Sequence, residues 1–313
     1  MDLLTALSLG QTALELGLIC GLTVLALFLS YSMLNVCDLS TDGCFTLGAA
    51  VGAVVAIAGH PLLSIPAAML AGVCSGFITA LLQTRLGVDS LLSGIIVNTA
   101  LYSVNIAVMG GSSLLNMNKT ETVFTMMREL LRDTPLAGQY TLAVALIAAA
   151  LVVGLLVAFL NTRLGLAIRA TGDNPDMVRA SSINPVFTTT VGLCAANAFT
   201  GLSGCLLAQS QKQVEINIGQ GIVTIALASL LIGRAFLGKG SILTRAVGVV
   251  LGSFVFRLVY AIALRFDMPA FMLKLVSSVI VIIAISGPYL KGRLPMLRRR
   301  LTAGRGGSGR RGA

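Results

Sequence analysis

The sequence predicts an all-α, polytopic membrane protein with about nine transmembrane helices. Two observations support this prediction. The 313-residue chain is 56% hydrophobic and only 11% charged, with a mean hydropathy of +0.92, whereas soluble domains carry roughly 25% charged residues. Apolar runs of spanning length also recur along the chain, at Leu14–Leu34, Cys44–Ala58, Ser64–Gln83, Leu91–Met109, Tyr140–Leu160, Phe187–Gln209, Ile222–Leu237, Ile242–Leu264 and Pro269–Ser286.

The runs differ in character. No basic segment precedes Leu14–Leu34, so we expect a helix that stays in the membrane and not a cleaved signal. The second and seventh runs are short and follow polar, glycine-containing stretches, which is typical of half-helices or re-entrant segments. The runs leave no room for a soluble domain. We therefore predict one transmembrane domain over residues 1–290 and a basic, disordered tail over residues 291–313.

Lysine and arginine predict the orientation. With nine spans the two termini face opposite sides, and fifteen Lys and Arg residues fall on the side of the C-terminus against five on the other. The positive-inside rule therefore places the C-terminus in the cytoplasm and the N-terminus outside. The tail carries eight of the fifteen. Much of the net charge of +10 thus lies in the tail. We expect the tail to contact anionic lipid headgroups, and we expect no nucleic-acid partner.

No arrangement of residues suited to covalent chemistry is evident in the sequence. The six cysteines have no zinc-site spacing, and His60 is the single histidine. The sequence shows no Ser-His-Asp set and no phosphate-binding loop of the Walker type. We therefore predict no catalytic residue, no metal site and no cofactor in this chain, and we expect the cysteines to act as small packing residues. A channel would need a ring of repeated pore residues, which is not evident.

One polar run, residues 163–185, lies between two long apolar runs. It holds three arginines, two aspartates and two asparagines, too many polar groups to bury in lipid. Asn174 and Pro175 predict an N-cap and a first helical position, and Asp176 suits the positive helix end. Asn184 and Pro185 are expected to end this helix after about two turns. The residues leave two interpretations open: a stiff helix that contacts a partner protein, or a solvated connector with a turn.

A weak internal repeat joins residues 38–57 with residues 216–236. Each segment is a polar, glycine-bearing break followed by a short helix rich in Ala, Gly and Val. In the predicted topology one enters from inside and the other from outside, as in inverted-repeat transporters whose broken helices meet near the midplane and line a substrate path. A second echo is the tetrapeptide Thr-Arg-Leu-Gly at Thr84–Gly87 and Thr162–Gly165, which coincidence also explains.

Glycine pairs spaced by four residues indicate close helix packing in lipid. The pairs are Gly17 and Gly21, Gly48 and Gly52, Gly72 and Gly76, and Gly248 and Gly252.

Three places in the chain resemble permease subunits of the ATP-binding-cassette importers for branched-chain amino acids and simple sugars. They are Asp38–Ser40 with Gly43; residues 169–175 continuing through residues 179–181 to 183–184; and residues 219–221 through 231–233 to 238–241. Within the family the chain is most similar to permeases for tryptophan or tyrosine uptake. It departs in two respects. Sugar permeases of this kind usually have one helix more, so either a first helix is absent or Met1–Thr12 forms a partial segment. Arg234 and Phe236 also stand where relatives often have small residues.

The resemblance implies partners and a location. The polar run 163–185 corresponds to the loop that docks on a separate ATPase, which would hold ATP and Mg. An extracytoplasmic solute-binding protein and a second, identical permease chain are the other expected partners, in a bacterial inner (plasma) membrane. The expected docking residues are Arg169, Gly172, Asp173, Asn174, Pro175, Met177, Val178, Arg179, Ser181 and Ile183.

Polar side chains stranded in or beside apolar helices are the candidates for a substrate path. Each one taken singly is explained equally well by a helix–helix hydrogen bond or a cap. The candidates are Asp38, Ser40, Asp42, Asn98, Thr99, Tyr102, Asn105, Asn197, Asn217 and Gln220.

Arg257 lies inside the eighth run and is expected to face protein, water or an acid. Two accounts remain open: a bracing pair with Asp267 or Glu215, or a side chain that extends to the headgroups.

The function predicted is a permease subunit that passes a small solute, an amino acid, from an outer binding protein into the cytoplasm. The alternative is an ion-coupled secondary transporter, which would use an intramembrane carboxylate such as Asp38, Asp42 or Glu215.

Overall fold

The computed structural model describes residues 3–132, 137–238, 240–264, 275, 278–282 and 286. Helices account for nearly all of its regular structure. The elements are α1 (Leu3–Leu27) with a π-helical extension (Phe28–Met33), α2 (Thr41–Ile57), α3 (Ser64–Thr84), α4 (Ser90–Val108), β1 (Leu114–Asn116), α5 (Val123–Leu130), a 3-10 turn (Ala137–Gln139), α6 (Tyr140–Asn161), α7 (Arg163–Asp173), α8 (Pro175–Ala180), α9 (Pro185–Gln211), β2 (Gln213–Glu215), α10 (Ile222–Leu237) and α11 (Ile242–Leu264).

The all-α membrane fold is confirmed. Six helical stretches among the described residues are long and apolar enough to cross a bilayer. The second and seventh predicted runs form the shorter apolar helices α2 and α10, as expected. Of the ninth run, Pro269–Ser286, only residues 275, 278–282 and 286 are described, and they are helical. Asp267 and the predicted tail 291–313 lie outside the described residues.

The first helix begins earlier than its apolar run. α1 starts at Leu3 and continues without a break to Leu27, so described residues before Leu14 extend the first span and do not form a separate segment. The six residues that follow α1, Phe28–Met33, form a π-helix, and Asn35 beyond them has a φ of 57°.

Two helices, α9 and α1, form the centre of the bundle. α9 is buried along most of its length, and α2 and α3 pack against it. α1 packs against α9, α11 and α6, with Leu22, Leu25 and Phe28 fully buried. The remaining long helices keep broad apolar faces exposed on the outside of the bundle. This pattern is expected of a helix bundle surrounded by lipid.

The four glycine pairs lie in helix seams, as predicted. A Cβ added at Gly48 would meet Gly201 of α9, and one added at Gly17 would lie 2.9 Å from the Cα of Phe254 of α11. Gly72 lies against α9, and Gly252 lies against α10. Larger residues at these positions would push the helices apart. The exposed side chains of Arg234 and Phe236 lie outside the α10–α11 seam.

The polar run folds as two helices. α7 occupies Arg163–Asp173, and Asn174 then caps α8 by accepting hydrogen bonds from the N–H groups of Asp176 and Met177 at 3.1 and 3.0 Å. The predicted end of this helix was wrong. α8 stops at Ala180, and Asn184 instead caps α9, with Pro185 as its first residue. An Asn-Pro pair is as suited to beginning a helix as to ending one.

The two ends of the bundle differ. We call the end that carries α7 and α8 the α8 end. At the opposite end β1 pairs antiparallel with β2, Leu115 opposite Val214, and the short helix α5 lies nearby. The sequence analysis did not predict this sheet or α5, because three-residue strands and a two-turn helix give too short a pattern to recognise.

Candidate functional site

The N-termini of the two short helices meet at Asp42. Its carboxylate lies in the first turn of α2 and accepts hydrogen bonds from the backbone N–H groups of Gly221 and Val223, at 3.0 and 2.8 Å. These N–H groups belong to the N-terminus of α10, where no residue of the same helix accepts from them. Asp42 thus caps α10 from the other half of the chain. The two repeat segments are in direct contact.

Thr46 extends this contact by one turn of α2. Its hydroxyl accepts a hydrogen bond from the N–H of Gly219 at 3.2 Å and donates to the carbonyl of Asp42. A Cβ at Gly219 would collide with the Asp42 carbonyl and the Thr46 hydroxyl, so the backbone before α10 approaches α2 more closely than a larger residue permits. The contact is therefore fixed by both hydrogen bonds and shape.

A polar cleft of about 260 Å³ opens beside this junction. One wall comes from α2 and from the segment before α10, and the other comes from α4. Gly43 allows the two walls to approach: the side chain of Asn105 donates to its carbonyl oxygen at 3.2 Å. The lining is Asp42, Gly43, Thr46, Asn98, Thr99, Tyr102, Asn105, Ile216 and Gln220.

Several polar groups that line the cleft have unused hydrogen-bonding capacity. The side-chain oxygen of Asn105 is buried and has no partner among the described residues. Thr99, Tyr102 and Gln220 are exposed along the cleft, and Asp42 is partly buried. The cleft therefore presents the kinds of donors and acceptors that line sites for small polar molecules, with one carboxylate held in place by backbone N–H groups.

Asp38 belongs to a separate network behind the cleft. Its side chain is buried and accepts from the Ser40 N–H and hydroxyl at 2.8 and 2.6 Å, and from the Asn197 side chain at 2.8 Å. Thr79 of α3 donates to the Ser40 hydroxyl at 3.1 Å. The network ties the start of α2 to α3 and α9, and it satisfies a buried carboxylate with neutral donors.

The structure thus divides the ten candidates for the substrate path. Six of them line one cleft. Asn217 stands beside it and accepts from the Gln220 side chain at 2.9 Å, while Asp38, Ser40 and Asn197 lie in the network behind. The sequence analysis missed Thr46, although it follows Asp42 by four residues and so lies on the same face of α2. The six lining candidates are Asp42, Asn98, Thr99, Tyr102, Asn105 and Gln220.

The candidate docking residues form a surface at the α8 end. Val178 is 2% exposed and anchors α8 to the bundle, whereas Met177 is 63% exposed and Ile183 is 37% exposed. Asp173, Asn174, Pro175, Arg179 and Ser181 are also exposed. A capped helix that presents apolar side chains among polar ones has the character of a protein contact surface.

The helices α7 and α8 are seated on the end of α1. A Cβ at Gly172 would collide with the carbonyl oxygen of Met33 and would lie 2.9 Å from the Cα of Leu34. The hydroxyl of Thr171 is hydrogen-bonded to that of Thr188 on α9 at 2.8 Å. From Leu34 the chain leads within eight residues to Asp42. One packing contact and a short stretch of chain thus connect α7 and α8 with the cleft. Arg169 is partly buried in α7.

Arg257 turns toward α1. Its guanidinium donates to the sulfur of Cys20 at 2.8 Å and lies 5.9 Å from the centre of the Tyr260 ring, while its Nε is buried without a partner. Among the described residues Glu215 makes no ion pair with it. The proposed pair with Asp267 lies outside the described residues. The arginine faces protein, as expected of an arginine within a span.

Within the described part of the chain no group of His, Cys, Asp and Glu side chains is arranged to hold a metal ion. The six cysteines are free, and Cys44 and Cys205 are fully buried among helices.

Comparisons with known proteins agree with the resemblance seen in the sequence. Residues 11–285 match the family described as branched-chain amino acid transport system / permease component. A tyrosine transport system permease protein of Clostridioides difficile is 29% identical over 268 residues, covering 85% of this chain and 86% of that relative. An uncharacterised protein of Rickettsia prowazekii is 29% identical over 283 residues, 88% of this chain and 96% of its own. No solved structure matches the chain significantly.

Proposed function

The chain belongs to the family of branched-chain amino acid transport system permease components, and from this premise we propose that it is the membrane subunit of an ATP-driven importer for an amino acid. A separate ATPase docks at the α8 end, which faces the cytoplasm of a bacterium. A solute-binding protein delivers the solute at the opposite end. Because the relative from Clostridioides difficile is named for tyrosine transport, tyrosine is the first solute to test.

The contact between Asp42 and the N-terminus of α10 is the observation that carries this proposal. It joins the two repeat segments beside a polar cleft. Each segment is a short helix that begins inside the bundle, which is the arrangement that transporters with inverted repeats use for a solute. The carboxylate holds two positive helix ends together. A rearrangement of this junction would open the cleft toward one end of the bundle or the other.

The proposed mechanism follows the contacts from α8 to the cleft. ATP binding closes the two ATPase subunits and moves α8. The seat of Gly172 on Met33 and Leu34 transmits the movement to the segment before α2. Asp42 then shifts relative to α10, and the cleft changes its access. The two states must differ in their contacts with ATPase and solute for ATP to shift the population.

A second copy of the chain completes the proposed path. Thr99, Tyr102 and Gln220 expose polar side chains on the side of the bundle, where lipid offers no hydrogen-bond partners. Within the described part of the chain, Thr99 and Gln220 each donate one hydrogen bond, to Ile95 and Asn217, and their remaining hydrogen-bonding capacity is unused. A second permease chain that covers α4 and the start of α10 would enclose the cleft between two copies. We propose a homodimer arranged in this way.

An ion-coupled secondary transporter is less consistent with the contacts. Such a transporter needs a carboxylate that binds and releases a cation or proton. Both oxygens of Asp42 are occupied by backbone N–H groups, and Asp38 is held by Ser40 and Asn197.

Uptake by proteoliposomes distinguishes an ATP-driven importer from an ion-coupled secondary transporter. The permease is reconstituted with a candidate ATPase and a candidate binding protein from the same organism, and radiolabelled tyrosine is added outside. The proposal predicts uptake that requires ATP inside and the binding protein outside. Uptake driven by a sodium or proton gradient without ATP would favour the secondary transporter.

A further inference from the structure

A second groove lies between α3 and α9 at the α8 end, away from the cleft. Its volume is about 540 Å³. Its lining has four apolar and four polar residues, and Arg85 and Asn184 lie at its α8 end. The apolar residues are Phe77, Leu81, Val186 and Phe187; the polar residues are Thr84, Arg85, Asn184 and Thr190.

The groove begins where the glycine seam between α3 and α9 ends. At Gly76 an added Cβ would lie 2.6 Å from the carbonyl oxygen of Leu193, so the two helices touch there. Toward the α8 end the helices carry large side chains in place of glycine. Phe77, Leu81 and Phe187 are 51%, 41% and 56% exposed. Their apolar surfaces flank a furrow that is open to the side of the bundle.

Polarity changes along the groove. Arg85 follows the last residue of α3, and Asn184 caps the first turn of α9. Phe77 lies eight residues before Arg85, which corresponds to roughly 12 Å along the helix axis. The Asn184 side-chain oxygen accepts from Val186, and its amide NH₂ remains as a donor. The one salt bridge among the described residues joins Arg179 to Asp176, so Arg85 has no acidic partner there.

We propose that this groove binds an anionic phospholipid. The phosphate lies on the Arg85 guanidinium and the Asn184 amide, and an acyl chain follows Phe77, Leu81 and Phe187. Basic pockets between helices at the cytoplasmic side attract anionic headgroups. The apolar body lies along membrane-spanning helices, at a depth that a soluble partner does not reach. The assignment to the inner leaflet rests on the orientation in the proposed function.

Arg163 provides a matched control for Arg85. Thr84–Gly87 and Thr162–Gly165 share the sequence Thr-Arg-Leu-Gly. Arg163 is exposed at the start of α7, outside the groove. Arg163→Gln therefore removes the same charge from the same tetrapeptide at the same end of the bundle without changing the groove.

The test titrates the full chain, purified in detergent, with phosphatidylglycerol and separately with phosphatidylcholine, and measures retained lipid by native mass spectrometry. Phosphatidylglycerol should bind more tightly than phosphatidylcholine. Arg85→Gln should weaken phosphatidylglycerol binding about fivefold, the effect of one arginine near anionic lipid. Arg85→Lys should retain most of the affinity, and Arg163→Gln should leave it unchanged. Phe187→Ala should also weaken binding, because it removes the apolar wall.

Several results would overturn the proposal. Equal losses in Arg85→Gln and Arg163→Gln would indicate diffuse charge attraction. A loss in Arg85→Gln without one in Phe187→Ala would indicate headgroup binding without an acyl site. Unchanged phosphatidylglycerol binding in Arg85→Gln would show that the groove holds no headgroup, and a separate co-purification assay that finds less ATPase bound to this variant would assign the groove to docking. Lipid retention is measured without ATPase or solute, so its failure is distinguishable from failure of the proposed transport function.

Discussion

The carboxylate of Asp42 on α2 accepts a hydrogen bond of 2.8 Å from the backbone N–H of Val223 on α10, across 181 positions of sequence. Its other oxygen accepts from Gly221. Each helix N-terminus carries about half a positive charge, so two N-termini placed together would repel each other. One carboxylate between them reverses this interaction. Asp42 therefore joins the two repeat segments at the edge of the cleft, and Thr46 adds a further hydrogen bond one turn along α2.

Asp42→Ala is expected to destabilise the permease and abolish uptake. The substitution leaves the N–H groups of Gly221 and Val223 without an acceptor, which costs about 2–4 kcal/mol for two partly buried donors. Asp42→Asn keeps one oxygen acceptor and should lower the melting temperature less. Thermal unfolding of the two purified variants measures the loss of stability, and uptake into proteoliposomes measures the loss of transport. The control is Asp176→Ala in the exposed helix α8, and equal melting temperatures for the two alanine variants would refute the capping role.

Cysteine labelling should follow the division between the cleft and the network behind it. In a background without native cysteines, Asn98→Cys and Thr99→Cys should react with a small polar thiol reagent because both positions line the cleft. Asn197→Cys should stay unreactive, because Asn197 is 1% exposed. Protection of the reactive positions by solute would support a binding role. Reaction at position 197 with inert cleft positions would place the path elsewhere.

Gly172→Val should separate docking from transport. The valine side chain would collide with the Met33 carbonyl, so α7 would lose its contact with the π-helical extension of α1, while the exposed face of α8 stays intact. We expect the ATPase to co-purify with the variant and uptake to be lost. Gly154→Val is the matched control, since an added Cβ there meets no atom within 4 Å. Normal uptake by Gly172→Val would show that the seat plays no part in coupling.

A double-mutant cycle tests the contact between Arg257 and Cys20. Arg257→Gln and Cys20→Ala should each lower the melting temperature, and the double variant should lose less than the sum of both. A hydrogen bond from a charged group corresponds to a coupling of about 1.5 kcal/mol or more. Additive losses would mean that the side chain leaves α1 and extends to the headgroups.

Apolar length and local spacing predicted most of the helices. Membrane-spanning helices appear in the sequence as long runs of apolar residues because the hydrocarbon core of a bilayer excludes polar side chains. The cap at Asn174 and the glycine seams are encoded by residues only a few positions apart. On α4, Asn98, Tyr102 and Asn105 recur at helical spacing, so their common face is visible in the sequence.

The partners of these residues could not be predicted in the same way. The acceptor for the N-terminus of α10 is 179 residues from Gly221, and local patterns do not encode such a distance. Asn197 and Asn98 are both asparagines in apolar helices, yet one bonds Asp38 and the other lines the cleft. The position of each asparagine on its helix decides which role it takes. For Asn197, the packing of α9 against α2 and α3 turns the side chain toward Asp38. Asn184 was assigned to the wrong helix because an Asn-Pro pair marks either boundary.

The central claim is that ATP acts on the cleft through α8, and nucleotide-dependent labelling of Thr99→Cys tests it most directly. The permease is reconstituted with its ATPase, and the rate of labelling is measured with and without a non-hydrolysable ATP analogue. The account predicts that the analogue changes the rate several-fold and that Gly172→Val removes this change. A rate that is indifferent to nucleotide, or a nucleotide response that persists in Gly172→Val, would contradict it.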